Sequence, residues 1–326
     1  VLNVFVVQDG YLARINWISQ SEALPANAIW LDLYRPTPEE ERLAEQLLGI
    51  NIPTIEEMSE IELSNRLYVE DSICFATSSI ISGSETRTPE INPVTFILMR
   101  DKLITVRYSD PQPFSTFASY SNRIVPEKLS GQYLIAGLIE AIVNRLADIM
   151  EKAAKQIDGI TRELFVTSPD TAKKPPNNFN QLLADIGLTG DLISKVRESL
   201  VSVGRLIGFM NQVPEAGLTE ENHSSFRMMA KDITALADHA SYLSGRIGFL
   251  LDAVLGLINI EQNSIIKFFS VAAVIFLPPT LIASVYGMNF DHMPELQWLY
   301  GYPAALLLML ISAIVPYSYF KHKGWL

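Results

Sequence analysis

FFSVAAVIFLPPTLIASVYGMNF, residues 268–290, is a run of 23 residues without a charged side chain. A second charge-free run covers residues 296–320, with YPAALLLMLISAIVPYSYF at its core. A helix needs roughly 20 apolar residues to cross the hydrocarbon of a bilayer, so each run is long enough. The alternative, two buried helices in a soluble core, is disfavoured by the residues at the ends. Trp298, Tyr300, Tyr302, Tyr317 and Tyr319 stand where an aromatic belt places such rings at a membrane interface. Pro278, Pro279, Pro303 and Pro316 are also better tolerated in membrane helices than in soluble ones. The chain is therefore expected to cross a membrane twice.

Basic residues orient the pair. Residues 287–301, between the runs, contain no Lys or Arg, only Asp291, His292 and Glu295. Lys267 precedes the first run, and Lys321 and Lys323 follow the second. The positive-inside rule then places both termini in the cytoplasm and the short acidic loop outside. VLNVFVVQDG at the start has no basic n-region, and its apolar run is too short for a signal peptide.

Over all 326 residues, 48% are hydrophobic and 19% charged, with 25 basic against 36 acidic side chains and a net charge of −11. A nucleic-acid partner, which requires a basic stripe to neutralise phosphates, is not expected. The one cysteine, Cys74, excludes an intramolecular disulfide and a thiolate metal cluster, and its apolar setting SICFA reads as a buried, inert thiol. No Gly-rich phosphate loop, Ser/His/Asp signature or HExxH is present, so no catalytic residue is assigned and no enzyme is expected.

Residues 1–130 read as a cytoplasmic α/β domain. Runs rich in β-branched and aromatic residues predict strands at Leu2–Val7, Ala28–Leu33, Ser72–Ile81, Thr95–Arg100 and Leu103–Arg107, in a mostly antiparallel or mixed sheet. Asp101-Lys102 suggests a hairpin between the last two. Helices are expected at Thr37–Leu48, which opens on Thr-Pro and three glutamates, and at roughly Pro53–Ile61.

Residues 131–264 read as helical. Leu134, Leu138, Ile142, Leu146, Ile149, Ala153, Ile157, Ile160 and Leu164 mark one helix face. TSPDTAKKPPNN (167–178) breaks that helix as an exposed loop, and a second helix follows from Phe179 to Asn211. Thr219 then looks like an N-cap ahead of Glu220 and Glu221. Beyond it, Ile233, Leu236, Ala240, Leu243, Ile247, Leu250, Val254 and Leu257 alternate by three and four. No proline falls between Pro214 and Pro278, so this helix is expected to run unbroken into the first span, about 100 Å at 1.5 Å per residue. A seam of that length favours self-association around an axis over an antiparallel bundle within one chain.

The first span ends in Tyr286-Gly287-Met288-Asn289-Phe290, followed by Met293-Pro294-Glu295-Leu296. Gly287 allows a tight backbone, and Asn289 offers an amide oxygen without net charge. A ring of such amides would accept hydrogen bonds from the waters of a hydrated cation, which suits Mg²⁺ because it dehydrates reluctantly. YGMNF with MPEL, between two C-terminal spans and ahead of a KHKGWL tail, resembles the CorA magnesium and cobalt transporter family. INIEQN (258–263), FLPPTLIASVYGMN (276–289) and Gly301-Tyr302-Pro303 match as well, so close matching covers the C-terminal 70 residues or so.

The resemblance implies a funnel-shaped homopentamer in the inner membrane, whose first spans line a pore and whose second spans face lipid. It makes Gly287, Met288 and Asn289 the selectivity filter. Spacing by three and four then defines a pore face of Asn263, Ile266, Ser270, Ala273, Leu277, Thr280 and Ser284, with Phe269 beside it. Ile266 and Leu277 would be apolar constrictions and Thr280 a polar ring. No carboxylate lines this span, so direct chelation does not select the ion. Asp291 and Glu295 either raise the local cation concentration or are ordinary solvated loop charges. Mg²⁺ is implied both as substrate and as regulatory ligand, with Co²⁺ and Ni²⁺ as further substrates and no covalent cofactor. By alignment through GINIPTIEE and LLD, the regulatory carboxylates would be Glu57 and Asp252, facing each other across subunits, with Glu56 assisting; a glutamate stands here where the family pattern leads one to expect an aspartate. Expected divisions are 1–130, 131–264, a span at 265–286, the loop 287–301, a span at 302–320 and a basic tail at 321–326. Two other readings stand beside this one: a ZntB-like zinc transporter, against which Met288 and the 293–296 segment argue, and a membrane-anchored sensory scaffold without transport.

Overall fold

In the computed structural model, which describes residues 1–8, 11–15, 24–120, 129–165, 179–289 and 293–325, the strand-forming runs make one seven-stranded sheet. Its strands are β1 (Leu2–Gln8), β2 (Tyr11–Ile15), β3 (Ala28–Tyr34), β4 (Leu67–Glu70), β5 (Ile73–Ser82), β6 (Glu90–Met99) and β7 (Lys102–Arg107). They are ordered β2-β1-β3-β7-β6-β5-β4, with β3–β7 parallel and the other pairs antiparallel. The sheet is thus mixed, and five strands lie where the β-branched runs predict them.

The two unanticipated strands, β2 and β4, are short and form the outer edges. Each has a single partner, so fewer neighbours impose a pattern on its side chains. β6 begins at Glu90 rather than Thr95 and contains Pro93. A proline is tolerated there because β7 pairs with β6 only from Val94 onward, leaving Pro93 opposite Ser79 of β5 alone. The β4–β5 turn places Asp71 (φ 49°) and Ser72 (φ 64°) in the left-handed region, a geometry that matches the twist of a two-residue hairpin. The expected β6–β7 hairpin forms too, with Arg100 at φ 51° and Lys102 already paired to Met99.

Helices cover both faces of the sheet. On one side lie α1 (Pro38–Leu48) and α2 (Ile55–Met58), whose region contributes Ala44, Ile50, Ile52 and Met58 to a core with Leu31, Leu33, Phe75, Ile97, Ile104 and Val106. α1 starts on a capping box, Thr37 with Glu40, and stops at Gly49 in the left-handed conformation. α2 occupies less than the expected 53–61, ending at Ser59, and α3 (Leu63–Arg66) follows. On the other side lie α4 (Gln112–Tyr120), α5 (Gly131–Phe165) and α6 (Phe179–Gln212). Phe114 and Phe117 of α4 pack on Trp30 at ring separations of 6.5 and 6.0 Å. The α5 face predicted by periodicity is buried throughout. Its first residue, Gly131, donates its N–H to Asp101 O (2.6 Å), and a Cβ there would fall 2.6 Å from backbone carbon of Lys102. Only glycine permits that approach. Cys74 is fully buried, and burial pushes its thiol up to about 11. The loop expected at 167–178 lies outside the described residues.

α7 runs from Glu220 to Tyr286 in one piece, with Thr219 Oγ1 accepting from the Asn222 N–H (3.3 Å). Part of its heptad-like seam is covered within the chain. Ile233, Ala240, Leu243 and Leu250 are buried within the single chain, where Ile233 lies against Gly204 and Ile247 against Gly190 of α6. Arg246 adds an ion pair to Asp158 of α5 (2.7 Å). This part of the seam is covered by side-chain contacts with the chain's own helices. Met228 and Tyr242, on the far side of α7, are exposed. The chain divides into two compact units, Val1–Leu251 and Asp252–Leu326. In the second, the end of α7 is followed by a short 3-10 turn, Pro294–Gln297, and by α8 (Gly301–His322).

Candidate ion pathway

Among the described residues, two helices are long and apolar enough to cross a membrane: the end of α7 and α8, with mean hydropathies of 2.1 and 1.7 over their best 18 residues. Only 6% and 0% of those windows are buried, whereas the core helix of a soluble protein is mostly buried. Aromatic rings cluster at the ends, where Trp298 lies 6.4 Å from Tyr300 and Lys267 sits 5.9 Å from the Trp325 ring.

The exposed and covered faces of α7 are distinct. Val271 is buried, and Ile275, Pro278, Ile282 and Tyr286 are half-buried, a stripe with three- and four-residue spacing. α8 carries a matching half-buried stripe of Ala305, Met309, Ser312, Pro316 and Phe320. The residues expected to line a pore, Asn263, Ile266, Phe269, Ser270, Ala273, Leu277, Thr280 and Ser284, are all exposed. At 3.6 residues per turn they centre roughly half a turn from the covered stripe. Thr280 Oγ1 donates to Phe276 O (2.7 Å), which holds the side chain along the helix and leaves its oxygen as an acceptor.

At the end of α7 the backbone turns on Gly287, whose N–H donates to Ala283 O (2.9 Å), and the Met288 N–H donates to Val285 O (3.3 Å). A Cβ on Gly287 would lie 3.1 Å from Ala283 O, so the tight turn favours glycine. Met288 and Asn289 follow directly and are exposed. Asp291 and the side chain of Glu295 lie outside the described residues.

The expected regulatory carboxylates are surface groups. Glu56 and Glu57 open α2, and Glu57 closes a capping box in which its Oε2 accepts from Thr54 N–H (2.8 Å) and Thr54 Oγ1 (3.1 Å). One carboxylate oxygen is thereby fixed in place and the other is left for a further ligand. The capping signal T-x-x-E is legible in the sequence and is easily passed over when acids are read as metal ligands. Asp252 is exposed on α7. Among the described residues, no three His, Cys, Asp or Glu side chains within one chain gather into a metal site.

A family model described as CorA-like Mg²⁺ transporter protein matches residues 25–322. The chain belongs to this family. Curated CorA relatives include the magnesium transport protein CorA of Haemophilus influenzae, 34% identical, and that of Escherichia coli strain K12, 31% identical, each over the full length of both chains. Among solved structures, the CorA magnesium transporter of Methanocaldococcus jannaschii superposes with a TM-score of 0.75 at 16% identity, covering 100% of this chain and 99% of that one. The cytoplasmic domain of ZntB from Vibrio parahaemolyticus covers 79% of this chain and 97% of its own, with a TM-score of 0.58 at 12% identity. The last two likenesses concern the fold. As a CorA-family protein, the chain is a membrane transporter and not an enzyme.

Proposed function

We propose that the protein conducts Mg²⁺, and also Co²⁺ and Ni²⁺, into the cell as a homopentamer in the inner membrane. Both termini would lie in the cytoplasm, a reading supported by the positions of Lys267, Lys321 and Lys323. The observation that carries this reading is the exposed, partly polar stripe on α7 that faces away from the covered stripe and leads to Gly287-Met288-Asn289. Around a five-fold axis, five Asn289 amides would accept hydrogen bonds from the water shell of the ion, which keeps its ligands. Ile266 and Leu277 would form apolar constrictions, and Thr280 a polar ring between them and the filter. Asp291 and Glu295 would concentrate cations at the outer mouth.

The membrane potential supplies the driving force. A divalent ion gains about 4.6 kcal/mol per 100 mV, enough for more than thousandfold accumulation, so the pore needs a gate. Glu57 and Asp252 of neighbouring subunits, with Glu56 assisting, would bind cytoplasmic Mg²⁺. Occupied sites would hold the acidic subunits together in a closed state, and their emptying would let repulsion open it. In this scheme residues 1–130 and 131–264 form the sensing part, 265–286 the pore helix, 287–301 the filter loop, 302–320 the lipid-facing helix and 321–326 the tail.

Proteoliposome flux tests the reading. The wild type should admit Mg²⁺, and Asn289→Ala should abolish influx while the oligomer stays intact on sizing. Asp252→Asn should raise the internal Mg²⁺ needed for closure. Absence of flux in the wild type would favour a non-transporting scaffold; Zn²⁺ flux without Mg²⁺ flux would favour the ZntB-like reading. An unchanged Mg²⁺ dependence in Asp252→Asn would remove the regulatory assignment alone.

A further inference from the structure

Outside the proposed pathway, one cleft runs against the charge of the molecule. It measures about 650 Å³ and lies between the α2–α3 segment, the β5–β6 strands and α6. Arg66, Arg197 and Arg205 line it, opposed by Glu60 and Glu198, so three guanidinium groups meet two carboxylates in a chain whose net charge is −11. Among the described residues, no ion pair within 4 Å joins any of these arginines to a carboxylate.

Arg66 is held in place. Its Nη2 donates to Ser79 Oγ (2.9 Å), and the Ser79 N–H in turn donates to Ser202 Oγ of α6 (2.9 Å). Its Nε is buried and has no hydrogen-bond partner. Burial depresses the Arg66 pKa, Glu198 pulls it back up and Arg205 presses it down again. Arg197 and Arg205 stand on one side of α6, eight residues or about 12 Å apart along the axis.

We propose that this cleft binds a polyphosphate group, carried by a nucleoside triphosphate or by free inorganic polyphosphate. Guanidinium forks match phosphate oxygens in pairs, and three of them spread over this distance suit an extended chain of phosphates better than a single one. The cleft volume falls in the range of small-molecule sites. Glu60 and Glu198 weaken the site electrostatically and make it selective for multiply charged anions.

Calorimetric titration of the detergent-solubilised full-length protein, at fixed free Mg²⁺, tests the proposal with sodium tripolyphosphate, ATP and orthophosphate. Tripolyphosphate should bind well above orthophosphate. ATP binding equal to tripolyphosphate assigns recognition to the phosphates, and tighter ATP binding assigns a nucleotide as the source. Arg197→Gln and Arg205→Gln, both on exposed positions, should each weaken binding about tenfold or more with unchanged melting temperature. Glu198→Gln should tighten it. No binding of either polyphosphate at millimolar concentration, or binding indifferent to both arginine variants, would overturn the proposal.

Discussion

Asp32 on β3 and Arg107 on β7 form a bidentate ion pair in the interior of the sheet domain, Nε to Oδ1 at 2.9 Å and Nη2 to Oδ2 at 3.0 Å. Both are nearly inaccessible, at 2% and 7% exposure. The carboxylate also accepts from Asn3 Nδ2 (3.0 Å) and Thr105 Oγ1 (2.9 Å), while the guanidinium lies between the Tyr34 and Phe114 rings at 4.4 and 4.7 Å. Burial alone would depress the arginine, but the hydrogen bond and charge of Asp32 outweigh it and hold its pKa up. The pair fastens the one parallel strand contact among the described residues, whose backbone pairing is slightly weaker than an antiparallel one.

Removing Arg107 leaves the Asp32 carboxylate buried without its ion-pair partner, whereas removing the Asp32 charge leaves Arg107 paired to the exposed Asp110 (2.6 Å). Arg107→Met should destabilise the Val1–Leu251 unit by about 3–5 kcal/mol, and Asp32→Asn by less. The double change to apolar residues should recover part of that loss. Urea midpoints followed by Trp30 fluorescence check the ordering, and a double variant no better than either single one would contradict it.

Glu57 has a structural duty at Thr54 besides its proposed ionic one, and substitutions separate the two. Thr54→Ala should cost about 1 kcal/mol through loss of the cap. Glu57→Gln retains an acceptor for the Thr54 N–H, so the melting temperature should hardly move, while protection from proteolysis by Mg²⁺ should weaken.

Leu277 is exposed on the proposed pore face. Leu277→Asn should wet the constriction and raise flux at internal Mg²⁺ concentrations that close the wild type. Leu277→Met keeps the constriction apolar and should leave that flux low, so equal leakage through both variants would count against a dewetting gate.

Glu85 ties the β5–β6 turn to α5. Hydrogen bonds from Lys152 and then Arg145 hold its carboxyl down at about 2. Its contribution is full above the ordinary carboxylate pKa near 4.5, shrinks as pH falls and is lost on passing through about 2. Because the group is exposed, the effect should stay under about 1 kcal/mol. The stability gap between wild type and Glu85→Gln should therefore be larger at pH 7 than at pH 3.

By itself, the sequence determined the features carried by strong local pattern. Charge-free runs of sufficient length marked the spanning helices, because hydrocarbon tolerates little else. The absence of proline between Pro214 and Pro278 predicted the unbroken α7, and the three–four spacing of α5 predicted its buried face. The polar stripe ending at Gly287-Met288-Asn289 was likewise legible, since helical periodicity converts spacing directly into a face.

Tertiary structure decided what depends on partners. β2 and β4 escaped notice because an edge strand has one neighbour to shape it. That Ile233 and Ile247 of the α7 seam meet Gly204 and Gly190 of α6 could not be read from their spacing. Which groups meet was also out of reach of spacing alone. Asp32 and Arg107 are 75 positions apart, and Arg66 reaches the arginines of α6 only because the sheet brings Ser79 against Ser202. Periodicity tells which way a side chain faces, whereas long-range packing alone tells what it faces.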